Sequence, residues 1–114
     1  MKLPNGDRAI VPERKLTKYL LSEEHEVGRY KAIFFLSHGF AIEAWRVLED
    51  ALLRHAVENE VATVERREWG VYYGIIGPLA SPDGRSPWVK TVWEIVEDSD
   101  PPRFITSHPA RPPK

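Results

Sequence analysis

The sequence predicts an α+β protein in which N-terminal helices pack on one face of an antiparallel sheet of about four strands. Up to about residue 60, apolar side chains recur at helical spacing. Beyond that point the period changes to alternation, in segments rich in Val, Ile, Thr and aromatic residues. The turns between these later segments are too short to hold crossover helices, so we expect the strands to form an antiparallel meander covered by the helices.

Length and composition indicate a single globular domain. The chain has 114 residues, of which 42% are hydrophobic and 29% charged. We expect residues 1–108 to form the domain and the proline-rich residues 109–114 to be an exposed tail. Cysteine is absent, which excludes disulfides and thiolate zinc sites. Since no apolar run resembles a signal peptide or a membrane span, we expect a cytoplasmic protein.

The first 28 residues contain a turn, a short extended segment, a helix and a loop. A turn signal at residues 4–6 and an apolar run at 9–11, ended by Pro12, predict an edge strand or an extended arm. Residues 13–21 carry apolar side chains at helical spacing and predict a short helix. Residues 22–28 are polar and predict a loop.

Two further helices are expected before residue 60. The second begins just after the polar loop and carries Lys31 on its first turn. The third has an apolar stripe that places Trp45 and Leu48 in the core. On its polar side, Asp50 and Arg54 are spaced to form an i,i+4 pair.

Alternation assigns the faces of the last two predicted strands. In the third strand Thr91 shares a face with Trp93, and in the last strand Phe104 shares a face with Thr106. A threonine that interrupts a buried apolar row needs a hydrogen-bond partner, so Thr91 and Thr106 are candidates for a polar cleft. The alternative is that both are ordinary strand threonines. The four predicted strands lie near residues 61–67, 71–76, 88–96 and 103–107.

The segment SEEHEVGRYKAIFF, residues 22–35, carries the clearest chemical signal. It places His25, Arg29 and Lys31 at a loop-to-helix junction. A histidine and two cations in such a position can hold a phosphate and move a proton. The same residues would also fit a solvated loop followed by a helix with a basic face.

Two further arginines and the overall charge bear on the binding of anions and nucleic acid. Arg85 and Arg103 lie at turn-to-strand junctions, where a guanidinium can bind an anion through two hydrogen bonds, although each alone is more typical of a surface arginine. The chain has 16 basic and 17 acidic side chains, so any affinity for nucleic acid requires a local basic patch. The histidines are too far apart in sequence to predict a metal site.

Several motifs resemble those of an uncharacterised bacterial family. Its usual pattern contains MKLPNxxRAxV, EHxxGRxKAxFF, GPxGR, VxTVW and PRFVTAYP. This chain has MKLPNGDRAIV, EHEVGRYKAIFF, SPDGR, TVWEI and PRFITSHP in the same order, over residues 1–109. His108 replaces an aromatic residue of that pattern, and Tyr30 stands where relatives sometimes have a histidine.

The resemblance implies a toxin-like domain, found at the ends of polymorphic toxins or beside a gene for a small partner protein. The layout of helices followed by a meander is similar to the barnase, EndoU, colicin and Rel-type group of metal-independent ribonucleases. The resemblance therefore implies an RNA substrate, no cofactor and a small antitoxin-like or immunity-like partner. Carried over residue by residue, it points to His25, Lys31 and Thr106 as catalytic residues and to Arg29, Arg85, Thr91 and Arg103 as substrate-binding residues.

Our hypothesis from the sequence is a metal-independent endoribonuclease of toxin type, which cleaves RNA to a 2′,3′-cyclic phosphate. The alternative is a non-catalytic interaction module that binds a small partner protein. The two hypotheses differ in one spatial requirement. The nuclease needs His25, Lys31, Arg103 and Thr106 in one concave patch, whereas the interaction module does not.

Overall fold

Helices precede strands along the chain in the computed structural model, which describes residues 1–26 and 28–112. Helix α1 begins as one α-helical turn and continues as a π-helical segment. None of the helices in the described part of the chain has the length and apolarity needed to cross a bilayer. The helices are α1 (Glu13–Lys15, continued by Leu16–Leu20), α2 (Arg29–Ser37) and α3 (Trp45–Glu58), with short 3₁₀ turns at Gly6–Arg8 and Ile42–Ala44.

The four strands form one sheet in the order β1-β2-β3-β4, with every neighbouring pair antiparallel. This confirms the predicted α+β class and the meander. The last strand is longer than predicted and ends at Pro109, and beyond it Pro112 is exposed. Residues 113 and 114 of the predicted tail lie outside the described residues. The strands are β1 (Val61–Arg67), β2 (Gly70–Pro78), β3 (Trp88–Ile95) and β4 (Arg103–Pro109).

The helices bury one face of the sheet and leave the other open. In β3 every second residue is buried, which confirms the predicted alternation. Leu48 is fully buried, whereas Trp45 is half-buried and packs at the margin of the core. Each fully buried large apolar side chain contributes about 1.5–3 kcal/mol to stability. Those contributed by the helices are Leu16, Leu20, Phe35, Leu48 and Leu52.

A β-bulge changes the faces of β4. Val92 pairs with Thr106 and Trp93 pairs with Phe104, so Ile105 has no counterpart on β3. One extra residue reverses the alternation beyond it. The prediction that Phe104 and Thr106 share a face is therefore wrong: Phe104 points to the helices, and Thr106 points to the open side of the sheet.

The N-terminal segment is an extended arm that covers the start of β4. The Ile10 N–H donates to the Pro102 carbonyl at 2.9 Å, and the Phe104 N–H donates to the Ile10 carbonyl at 2.9 Å. This single parallel bridge is consistent with the predicted arm.

Helix α3 differs from the prediction in one surface contact. Arg54 forms its ion pair with Glu58, at 3.4 Å between Nη2 and Oε2, and not with Asp50 as predicted. Asp50 and Glu58 each lie one helical turn from Arg54, and the Arg54 side chain extends toward Glu58, the residue on its C-terminal side. Because both partners are exposed, the pair contributes little to stability.

A buried hydrogen-bonded chain joins α3 to the sheet. The Trp93 Nε1–H donates to Thr91 Oγ1 at 2.9 Å, and His55 Nδ1 lies 3.0 Å from the same oxygen. His55 Nε2 lies 3.1 Å from the Gly77 carbonyl, which can only accept, so Nε2 carries the proton and Thr91 donates to Nδ1. Burial lowers the pKa of His55, and the opposing effects of the Gly77 and Val89 backbone and of the Glu58 charge do not offset it. His55 is therefore neutral in the folded protein at neutral pH.

We expect the free energy of unfolding to fall as the pH is lowered below about 6.5, the ordinary pKa of histidine. The unfolded chain binds a proton at His55 that the folded protein resists, so unfolding is favoured by acid, with a slope of up to about 1.4 kcal/mol per pH unit. Denaturant unfolding measured across this range checks the slope. His55→Gln, which keeps a donor for the Gly77 carbonyl but cannot titrate, should lose this contribution to the pH dependence of the free energy of unfolding. Identical slopes in the two proteins would contradict this account.

Candidate functional site

An open cleft lies where α1, the start of α2 and the bulge of β4 meet. Its volume is about 530 Å³, within the usual range for a ligand site. Cationic side chains form much of its wall, although the net charge of the whole chain is only −1. The cleft is lined by Arg14, Lys15, Lys18, Tyr19, His25, Lys31, Ile105 and Thr106.

Three polar groups from three elements meet at the floor of the cleft. Lys31 Nζ donates to Tyr19 Oη at 2.6 Å and to Thr106 Oγ1 at 2.9 Å. Tyr19 Oη and Thr106 Oγ1 are themselves 3.2 Å apart. The bulge at Ile105 is what brings Thr106 into this group, because regular alternation would turn its side chain toward the core.

The electrostatic surroundings of Tyr19 favour its ionised form. Burial alone would raise the pKa of Tyr19. The hydrogen bonds with Lys31 and Thr106 and the charges of Lys31 and Lys15 outweigh burial and hold this pKa below its ordinary value. Lys15 Nζ lies 5.8 Å from the centre of the Tyr19 ring, which adds a cation–π contact. A larger fraction of Tyr19 is therefore ionised at a given pH than of an ordinary tyrosine.

Local backbone structure holds Tyr19 in place. The π-helical segment closes with a hydrogen bond from the Leu21 N–H to the Leu16 carbonyl at 2.8 Å, and such wide turns are frequent at functional sites. Gly28 packs directly against Tyr19: a Cβ there would lie 2.7 Å from Tyr19 Cδ1 and 2.8 Å from its carbonyl oxygen. The close approach of the loop to Tyr19 thus requires glycine at position 28.

His25 lines the cleft beside Tyr19. Its ring meets the Tyr19 ring edge to face, with centroids 5.0 Å apart. The Gly28 N–H donates to His25 Nδ1 at 2.9 Å. A neutral imidazole accepts only at its unprotonated nitrogen, so its proton lies on Nε2, and in this arrangement Nε2 is a donor.

The structure brings together the three residues predicted to be catalytic, His25, Lys31 and Thr106. Two predicted substrate-binding residues lie outside the cleft wall. Arg29 is exposed at the first residue of α2, with its guanidinium 5.0 Å from the centre of the Tyr30 ring. Arg103 is exposed at the first residue of β4 and pairs with Glu94 of β3. The predicted patch is therefore formed without Arg103.

The other two predicted binding residues do not line the cleft either. Arg85 is exposed in the β2–β3 turn, where its Nε is 3.9 Å from Asp83, and Asp83 lies beside His38 at the opposite end of α2 from Lys31. Thr91 is fully buried on the helix side of the sheet and is hydrogen-bonded to His55. Neither side chain reaches a ligand in the cleft.

Sequence reasoning missed Tyr19 and the cations of α1. Helical spacing counts Tyr19 only as one of the apolar residues of α1. In the structure its ring packs against the core, and its hydroxyl lies in the cleft. The signal that could have found the site is the basic run around this tyrosine, Arg14, Lys15 and Lys18. Among the described residues, no group of three or more His, Cys, Asp or Glu side chains could hold a metal ion.

Comparison with known proteins establishes the family and the fold. The model of DUF6883, a domain of unknown function, matches residues 2–111, so the chain belongs to this family. No curated protein resembles the chain closely enough in sequence to count as a match. A chain of a contact-dependent growth inhibition toxin–immunity protein complex from Klebsiella pneumoniae 342 has a similar fold, with a TM-score of 0.71 and 21% identity over 89% of this chain and 99% of that chain.

We expect Gly28→Ala to lower the free energy of unfolding by about 1–3 kcal/mol, because the added methyl overlaps Tyr19. Chemical denaturation measures the effect. Gly6→Ala is the matched control, since a Cβ there would lie 3.4 Å from its nearest neighbour, Val57, an ordinary contact. Equal stabilities of the two variants would show that Tyr19 does not need the close approach of the loop.

We also expect Tyr19 to ionise below the ordinary tyrosine pKa of about 10. Absorbance of the phenolate during an alkaline titration measures this, and Tyr19→Phe identifies which component belongs to Tyr19. Lys31→Met should move that component to higher pH, because it removes a hydrogen bond and a positive charge. Lys2→Met, at an exposed position outside the cleft, should leave it in place. A titration component whose midpoint is the same in Lys31→Met as in the wild type would contradict the assignment to Tyr19.

Proposed function

We propose that this DUF6883 member is a metal-independent endoribonuclease of toxin type. The main observation that supports this proposal is the convergence of His25, Lys31 and Thr106 with Tyr19 in one cation-lined cleft. In the proposed reaction the RNA 2′-hydroxyl attacks the adjacent phosphorus atom and the 5′-oxygen leaves. The products are a 2′,3′-cyclic phosphate and a free 5′-hydroxyl.

Tyr19 is the proposed general base. Its ionised form would take the proton of the 2′-hydroxyl, a contribution worth about 10² to 10⁴ in rate. The sequence points to His25 as the catalytic residue that moves a proton, as general base or acid, but its Nδ1 already accepts the Gly28 N–H. It could take a substrate proton only by giving up that bond. The departing 5′-oxygen would take its proton from water or from an ammonium group of the cleft wall.

Lys31 and Thr106 are the proposed phosphate-binding pair. In the structure, Lys31 donates to both Tyr19 and Thr106. With a phosphate bound, the ammonium and the Thr106 hydroxyl would donate to its oxygens, where charge accumulates in the transition state. Each well-placed donor of this kind is worth a few kcal/mol. His25 would add a third donor through Nε2.

The distribution of charge supports RNA as the substrate. The chain has nearly equal numbers of acidic and basic residues, yet four of the residues lining the cleft are Arg14, Lys15, Lys18 and Lys31. Clustered cations release counterions from a phosphate backbone, so a local patch can bind RNA without an overall basic charge. We retain the cytoplasm as the proposed site of action.

The likeness to a chain of a toxin–immunity protein complex supports the toxin assignment and a small immunity-like partner. A partner that covered the cleft would have to neutralise its cations, so we expect carboxylates on the contacting surface. The second candidate function, a non-catalytic interaction module, is favoured by the near-neutral net charge of the chain.

We expect the purified protein to cleave total RNA in the presence of EDTA and to leave cyclic phosphate ends. Tyr19→Phe should slow cleavage by about 10² to 10⁴. Lys31→Met should slow it by a similar factor, because it removes a donor to the phosphate and the stabilising charge beside Tyr19. Tyr30→Phe and Lys2→Met, which alter an exposed tyrosine and an exposed lysine outside the cleft, are the matched controls.

Three outcomes would contradict the proposal in different ways. Cleavage that needs a divalent metal ion excludes the metal-independent mechanism. Cleavage that persists in Tyr19→Phe and Lys31→Met shows that another site acts. A folded wild-type protein that cleaves no RNA favours the interaction module.

A further inference from the structure

A second groove crosses the open face of the sheet. Its floor is at Gly74 of β2, where a Cβ would overlap the Thr63 hydroxyl and lie 2.5 Å from Lys90 Cε. The absence of a side chain at position 74 lets the Lys90 side chain lie across β2 toward Thr63 of β1. The groove is lined by Thr63, Glu65, Arg67, Tyr72, Gly74, Lys90, Val92, Ile105 and Thr106.

The groove is continuous with the cleft. Ile105 and Thr106 line both of them, because the bulge turns Thr106 outward beside Val92 while its hydroxyl still contacts Tyr19 and Lys31. A chain that left the cleft past Thr106 would pass directly onto the outer face of β3 and β2.

The groove offers the two features that single-stranded RNA requires. Lys90 is a cation that lies within 4 Å of no carboxylate among the described residues. The Arg67 guanidinium lies 4.3 Å from the centre of the Tyr72 ring, which gives a flat cationic and aromatic surface. Glu65 also lines the groove, but its carboxylate is paired with Arg67 Nε at 3.1 Å. Backbone phosphates seek cations, and bases stack on aromatic and guanidinium planes.

We infer that this groove is a substrate subsite, which binds the nucleotides on one side of the scissile phosphate. Lys90 and Thr63 bind a backbone phosphate, and the Arg67–Tyr72 pair stacks against a base. The inference rests on the proposed ribonuclease function. It adds that the enzyme acts on single-stranded RNA that extends beyond the cleaved bond, and that it binds dinucleotides poorly.

The test uses oligonucleotides that cannot be cleaved, so that binding is measured apart from activity. Fluorescent 2′-O-methyl RNA is titrated into the 114-residue protein, as a dinucleotide and as a single-stranded hexanucleotide. The hexanucleotide should bind at least about tenfold more tightly, the value of one stacked base. Tyr72→Leu should remove most of this advantage. Lys90→Met should weaken hexanucleotide binding and reduce the dependence of log affinity on log salt by about one.

Lys2→Met is the charge-matched control and should leave both affinities unchanged. Equal binding of the two oligonucleotides by the wild type, or unchanged hexanucleotide binding in Lys90→Met and Tyr72→Leu, would overturn the subsite even if the protein cleaves RNA. The reverse result is also distinguishable. If hexanucleotide binding depends on Lys90 and Tyr72 but the protein cleaves no RNA, the groove is supported as an RNA-binding site and the proposed ribonuclease function is rejected. A partner protein that binds the wild type but not Lys90→Met, with RNA affinity unchanged, would assign the groove to that partner.

Discussion

The candidate site depends on one irregularity in the sheet, the unpaired Ile105 of β4. A regular strand would place Thr106 on the helix side, where Trp93 and Phe104 already fill the core with rings 5.3 Å apart. The extra residue sends Thr106 to the open side, and Lys31 and Tyr19 complete a hydrogen-bonded triangle around it. Bulges locally disrupt pairing and redirect side chains, which is why they are frequent beside active sites. Here the same residue also joins the cleft to the groove.

The two sides of the sheet satisfy their polar groups in different ways. On the helix side Thr91, His55 and Trp93 hydrogen-bond to one another and to a backbone carbonyl, and all three are buried. On the open side the hydroxyls and the ammonium of Lys31 are half-buried and can exchange a partner for a ligand. The first arrangement fixes α3 on the sheet, and the second leaves polar groups accessible to a ligand. Two threonines at similar positions in neighbouring strands thus lie in opposite surroundings.

Residue patterns predicted the architecture well, because helical spacing and alternation are local properties that the core enforces. They failed where contacts between residues distant in sequence determine the position of a side chain. The face of Thr106 is tied to contacts with Tyr19 and Lys31, far away in sequence, so no pattern within β4 reveals the bulge. Thr91 has the hydrogen-bond partner that a buried threonine needs, but only the fold shows that this partner is His55. Arg85 stands at a plausible junction, and only the topology places it at the far end of α2 from Lys31.

The concentration of positive charge in one cleft of an otherwise balanced surface has a kinetic consequence. At physiological ionic strength the field of a charge fades over about 8 Å, so an approaching molecule is attracted only when it is nearly in contact. A uniformly basic protein attracts nucleic acid over its whole surface and adheres to it indiscriminately. This chain, with a net charge of −1, lacks that general attraction and should diffuse past most polyanions. Which molecules the protein binds would then depend on how well their shape fits the cleft at short range.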